Sequence, residues 1–222
     1  MDVQARVGGY RVGGYAVIGF AAVILGVNVV AVSAGLPLPG APLAEVGDFF
    51  GTSDAVGWSS SLTPLAWLLA TVFGAAAVVA LWHAERVWAL VGFAGVLLQN
   101  ATFAALVATR LALASGGDTA TLWALHNGFF ALNGTFLAVA LVGFSVAGVR
   151  AGLIRPWHAV LGYVAAGLQF SSASLAFAVV DGHLGFLGLT GWLLWVAWLV
   201  TYGVTLLRKR SSAGVHLAVP RP

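Results

Sequence analysis

The chain has 222 residues, of which 60% are hydrophobic and 8% charged, and its mean hydropathy is +0.98. Soluble domains carry about 25% charged residues, so this composition excludes an ordinary soluble domain and points to a polytopic membrane protein. The absence of cysteine excludes disulfides, thiolate metal sites and a Cys nucleophile. A pI near 9.8 does not indicate nucleic acid here, because the arginines sit beside apolar runs, where they report orientation.

The N-terminus, MDVQARVGGYRVGGY, holds a tandem pentapeptide with Arg6 and Arg11 ahead of an apolar run over 15–34. Val32-Ser33-Ala34 has the small residues of a cleavage site, but a secretory h-region spans only about 7–15 residues. The longer run is therefore expected to be an uncleaved first span. Residues 35–62 form the longest loop, rich in Pro and Gly, with Glu45, Asp48 and Asp54. Within it, Leu43, Val46 and Phe50 fall on one helical face behind Pro42, which predicts a short amphipathic helix at the membrane surface.

Further spans are expected at 63–82, 87–109, 122–148, 158–180 and 185–207, with a disordered tail at 211–222. The turn HAER joins the second span to the third, and AGLIRPW joins the fourth to the fifth. The predicted fold is all-α: one domain over 1–210, a bundle of six transmembrane helices with a short interfacial helix in the first outer loop. With both termini cytoplasmic, Arg6, Arg11, Arg86, Arg150, Arg155 and the run Arg208-Lys209-Arg210 all lie inside, as does Arg221. Arg110 alone falls outside, together with Glu45, Asp48, Asp54, Asp118 and Asp181.

At a rise of ~1.5 Å per residue, Gln99, Asn133 and Gln169 lie roughly 16–18 Å from their helix starts, near the bilayer midplane. Asn28, Asn100, Thr102, His126, Asn127, Ser171, Ser172 and Ser174 lie from there outward, while the inner halves are almost purely apolar. One reading is a pocket opening outward, lined by Asn28, Gln99, Asn100, His126, Asn127, Asn133, Gln169 and Ser172. Ala131, Gly134, Ala166 and Ser172 would leave it room, and the 43–50 helix would cover it. The plainer reading is that amides and hydroxyls join helices, at roughly 0.6–2 kcal/mol per contact, since only His126 among them ionises.

His126 is the only candidate acid/base. With Asp118, Asp181 and His183 it is also a candidate metal ligand, but no spacing enforces that site. Haem held by paired histidines on facing helices is disfavoured, because no span centre carries one. No metal or other cofactor is thus required by the sequence. His83 and His158 read as interfacial residues. Gly182, Gly185, Gly188 and Gly191 form a ridge for close helix contact, continued at the same spacing by Trp192, Trp195 and Trp198. No hydrolase elbow, phosphate loop or HExxH is present, and no span carries a charged residue near its middle, unlike an ordinary ion pump.

Gly92, Gln99 and Thr102 recur as Gly162, Gln169 and Ser172 at an offset of 70. Spacings of seven and three keep each trio on one face, which suggests duplicated hairpins of the kind found in transporters. Chance similarity of Gly/Ala/Leu-rich helices is the alternative.

The motif AEVGDFF at 44–50, N-x-x-F-x-L-x-G at 127–134, and RPW at 155–157 leading to G-x-x-x-x-x-L-Q at 162–169 carry a resemblance. They resemble a family of uncharacterised six-helix integral membrane proteins common in actinobacteria, over about 44–209. The resemblance implies the six-helix membrane fold and brings no assigned activity. His126 stands where that pattern usually has an amide, and Arg155-Pro156 inverts its usual order. The first departure weakens any catalytic role for His126 that rests on the family.

The leading functional expectation is a non-enzymatic membrane protein. It would bind membrane lipid, another lipid-like or apolar small molecule, or a membrane-protein partner in its outer half, with no role for nucleic acid. A small transporter built from repeated hairpins comes second. A lipid-modifying enzyme using His126 comes third.

Overall fold

The computed structural model describes residues 3–52 and 54–215, with side chains at 9–52, 54, 56–57 and 60–208. Eight helices and no strand occur among the described residues: α1 (Val3–Ser33), α2 (Leu43–Thr52), α3 (Ala55–Leu81), α4 (Arg86–Ala114), α5 (Thr119–Arg150), α6 (Pro156–Ser174), α7 (Ala176–Val180) and α8 (Gly185–Val215). Five of them, α1, α3, α4, α5 and α8, are long and apolar enough to cross a membrane. That is the build of a membrane protein.

The expected fifth span is different. It forms α6, 19 residues long, then breaks at Leu175, and α7 resumes for 5 residues. Three serines in four residues, Ser171, Ser172 and Ser174, precede the break. Hydroxyls compete with the helix for its own backbone groups, which makes this a weak place for a helix to continue. At the other terminus α8 runs on to Val215, past the start of the expected disordered tail, and 216–222 lie outside the described residues.

The six long elements form a closed ring in the order α1, α3, α4, α5, α6, α8, with α8 back against α1. Neighbours are antiparallel: Gly13 faces Ala76, Gly74 faces Phe93, Gly92 faces Phe144, Gly162 faces Ser145, Gly191 faces Gln169 and Gly203 faces Val17. This up-and-down order gathers Arg11, Arg86, Arg150, Arg155 and Arg208 at one end, called the basic end below. Glu45, Asp48, Asp54, Asp118 and Asp181 gather at the other, the acidic end. Glu85 at the basic end pairs with Arg150 at 3.5 Å.

Packing is closest between α4 and α5 in the basic half. A Cβ on Gly95 would strike the backbone of Ala140, and one on Gly143 would strike the backbone of Gly92. Backbone-to-backbone approach of this kind is how helices adhere where lipid supplies no hydrophobic force. On the ring axis, Phe73, Phe144 and Tyr202 meet with centroids 5.6, 5.6 and 6.4 Å apart and close the basic end. His158, expected at the interface, is instead buried there, because its Nε2–H finds an acceptor in the carbonyl of Trp198 at 3.0 Å.

The acidic end is roofed by residues 34–52. Pro39 and Gly40 press against Gly182 in the turn before α8, and both glycines have positive φ (+86° and +84°). Helix α2 then lies over α4 and α5, with Val46 and Phe50 buried on Leu113 and Trp123. Leu43, expected on the same buried face, is 49% exposed.

Candidate functional site

A cavity lies on the ring axis in the acidic half, walled by α1, α3, α4, α5 and α8. Its volume is about 60 Å³ measured at water centres, where one water needs roughly 10–15 Å³. Phe20, Gln99, Asn133, Leu137, Trp192 and Trp195 form the floor; Ala66, Trp67, Thr63, Phe103 and Val107 form the wall. Asn28, Ser60 and Arg110 form the rim, each within about two turns of its helix terminus at the acidic end. A smaller space of about 20 Å³ continues below the floor, past Gln99 and Trp195, and stops at Phe73 and Phe144. The cavity is therefore blind at the basic end.

Two of the lining residues carry a buried polar atom with no hydrogen-bond partner among the described residues, Trp67 (Nε1) and Asn133 (Oδ1), as do Asn100 (Oδ1), Trp123 (Nε1) and Tyr202 (Oη) outside it. Such groups cost several kcal/mol in hydrocarbon unless water or a ligand satisfies them.

Arg110 is held on one side only. Its Nε–H donates to His126 Nε2 at 3.0 Å, and His126 Nδ1 lies 3.1 Å from Asn127 Oδ1. Arginine has no acceptor atom, so Nε2 must accept, and the ring proton sits on Nδ1, donated to Asn127. The imidazole is stacked between Trp123 (4.6 Å, 9°) and Phe130 (6.5 Å, 5°). Trp123 in turn carries Phe50 of α2 at 6.2 Å. A column of rings from roof to bundle thus fixes the histidine that fixes the arginine.

Of the eight candidate pocket residues, Asn28, Gln99 and Asn133 meet at the cavity and the others do not. Asn100 turns to α3, where its Nδ2 donates to Trp67 O at 3.2 Å and Thr71 Oγ1 at 3.1 Å. Gln169 donates to Gly188 O at 3.1 Å, joining α6 to α8, and Ser172 is buried beside the same glycine. His126 and Asn127 stand behind Arg110 rather than in the cavity.

Gly134, expected to leave room, lies against the backbone of Gln169, and Ala131 and Ala166 are buried away from the cavity. Among the described residues no three His, Asp or Glu side chains come together to hold a metal. His126 is engaged with Arg110 and not with Asp118, Asp181 or His183. The glycine ridge is used only in part: Gly188 and Gly191 pack on α6, whereas Gly185 faces open space. Trp192 and Trp195 line the cavity, while Trp198 lies below and donates Nε1–H to Ser145 Oγ at 3.1 Å.

Arg110, Trp67, Ser60 and Thr63 were missing from the sequence-derived site. Arg110 had a usable signal, as the one arginine at the acidic end. Folding the α4–α5 hairpin about its turn at 116–118 brings 110 opposite 126. No protein-family model, curated protein or solved structure matches this chain.

Proposed function

We propose that this protein crosses the cytoplasmic membrane six times and holds a lipid-like small molecule in the outer half of the helix ring. In this reading the broken pair α6–α7 is the sixth crossing, and both termini are cytoplasmic, since the basic end then faces inward. Helix α2 lies at the outer interface with its apolar face down. The observation that carries the binding role is the cavity itself, walled mainly by apolar and aromatic side chains with Asn28, Gln99, Asn133 and Arg110 among them. Apolar walls with a few convergent polar groups are the usual composition of a small-molecule site.

Ala66, 4% exposed, sits in the cavity wall, so Ala66→Leu adds side-chain volume at the cavity. Native mass spectrometry of the full chain in mild detergent should show a retained small molecule on the natural protein and its loss from Ala66→Leu. Equal spectra for the two, with nothing bound, would sink the binding role. Orientation is tested separately, using the cysteine-free background. A cysteine at Gly117 should react with impermeant maleimide from outside intact cells, and one at Ala151 should not.

The transporter reading gains no observation of its own. Gln99 borders the cavity and Gln169 joins α6 to α8, so the two repeat motifs end in different surroundings.

A further inference from the structure

Arg110 carries the inference. Among the described residues no carboxylate comes within ion-pair distance of it, and its only hydrogen bond is the one from Nε to His126. Arg110 borders the cavity at its rim with Asn28 and Ser60. A guanidinium facing a partly enclosed space without an anion is costly, and its planar fork fits a carboxylate or phosphate. His126 occupies the Nε edge as an acceptor, which leaves the two terminal nitrogens for a ligand.

Size and access narrow the ligand. About 60 Å³ at water centres admits a headgroup and a few carbons, not a whole lipid. Helices α1 and α8 approach closely in the basic half at Gly14 with Gly203, and Phe20 meets Trp195 at the cavity floor. Beyond Phe20, Gly26 has open space beside it and Asn28 is exposed.

We infer that the rim of the cavity is a binding site for the anionic headgroup of an amphiphile, a carboxylate or phosphate monoester held by the terminal nitrogens of Arg110. The first carbons of its chain rest on Trp192, Trp195 and Phe20. His126 is a positioning residue that sets the plane of the guanidinium. This rests on the proposed binding role of the cavity and specifies its ligand.

The test uses the full chain in nanodiscs of zwitterionic phosphatidylcholine, with brominated oleic acid and the matching brominated alcohol as probes and tryptophan quenching as readout. The acid should bind about 10–100-fold more tightly than the alcohol, the worth of a charge-assisted hydrogen bond. Arg110→Gln should bring that ratio near one, and Arg110→Lys should keep part of it. His126→Phe, which keeps a ring in the stack, should weaken the acid severalfold. His126→Gln, which restores an acceptor near the Nε2 position, should recover it.

Phosphatidic acid as competitor distinguishes the sources: displacement of the oleate favours a phosphate headgroup, and none a free carboxylate, either one supporting the anionic site. Displacement by inorganic phosphate at equal concentration would overturn the amphiphile. Equal binding of acid and alcohol by the natural protein, which needs no variant, would overturn the anionic site. If both are then lost from Ala66→Leu, the cavity role survives that failure; if neither probe binds at all, both proposals fall.

Discussion

The basic and acidic halves of the ring are built from opposite materials. In the basic half, glycines meet backbone, as Gly95 does at Ala140 and Gly143 at Gly92, and aromatic rings fill the axis. In the acidic half, asparagine, tryptophan and arginine side chains hold the helices apart around a cavity, and Gly26 and Gly128 face open space. Helices in lipid adhere by close packing of small residues. The acidic half has such contacts on α6, where Gly134, Gly188 and Gly191 pack, and elsewhere keeps its shape through side-chain hydrogen bonds and a roof. The same bundle thus contains a rigid clasp and an open chamber.

The largest expected effect contrasts two glycines of α5. Gly143→Leu must force α4 and α5 apart and should cost about 3 kcal/mol or more, up to loss of folded protein. Gly128→Leu, with open space around it, should change stability by about 0.5 kcal/mol or less. Thermal unfolding in detergent reads both, and similar costs would erase the distinction between the halves.

Next is the axial plug. Phe144, fully buried against Phe73 and Tyr202, should cost about 3–5 kcal/mol as Phe144→Ala in the same assay. A much smaller loss would mean that the basic half is not the stability-determining one.

The two glutamines sharpen the comparison at a smaller scale. Gln169→Leu removes a bond between α6 and α8 and should cost about 1 kcal/mol. Gln99→Leu removes no such bond and should leave the unfolding temperature nearly unchanged while altering ligand retention. Equal costs would favour equivalent roles and the duplicated-hairpin idea.

The smallest effect belongs to Asp118, which caps α5 at the acidic end with its carboxylate accepting from Thr121 N at 2.9 Å. Hydrogen bonds from the Thr121 side chain and backbone hold this carboxyl below its ordinary value. Its contribution is therefore present at neutral pH and lost as pH falls through the lowered value. Asp118→Asn keeps a capping oxygen and should flatten a shallow acid-side loss of melting temperature. An unchanged pH profile in that variant would dismiss the cap.

Much of the fold was legible because it depends on local properties. Length and apolarity marked the long helices, Pro42 and the Leu43–Phe50 pattern marked α2, and the arginines marked the basic end. The break at Leu175 was missed because a hydropathy run does not register where serines divert backbone hydrogen bonds. Of the polar residues singled out by depth, Asn28, Gln99 and Asn133 border one cavity.

Depth along a helix follows from counting residues, whereas the direction a side chain faces around it does not. In a soluble bundle an amphipathic stripe shows which face is buried. Here lipid and core are both apolar, so the stripe is almost erased. Hence the sequence by itself determined where the long helices lie and the levels of their polar groups. It did not determine their ends, since α3 starts at Ala55 inside the expected loop and the fifth span breaks at Leu175. Only the tertiary structure decided that Gln99 faces a cavity while Gln169 faces α8, and that Arg110 stands over the cavity with His126 behind it. Those outcomes depend on the order of the ring and the rotation of each helix within it, which are set by glycine-to-backbone contacts between residues far apart in the chain.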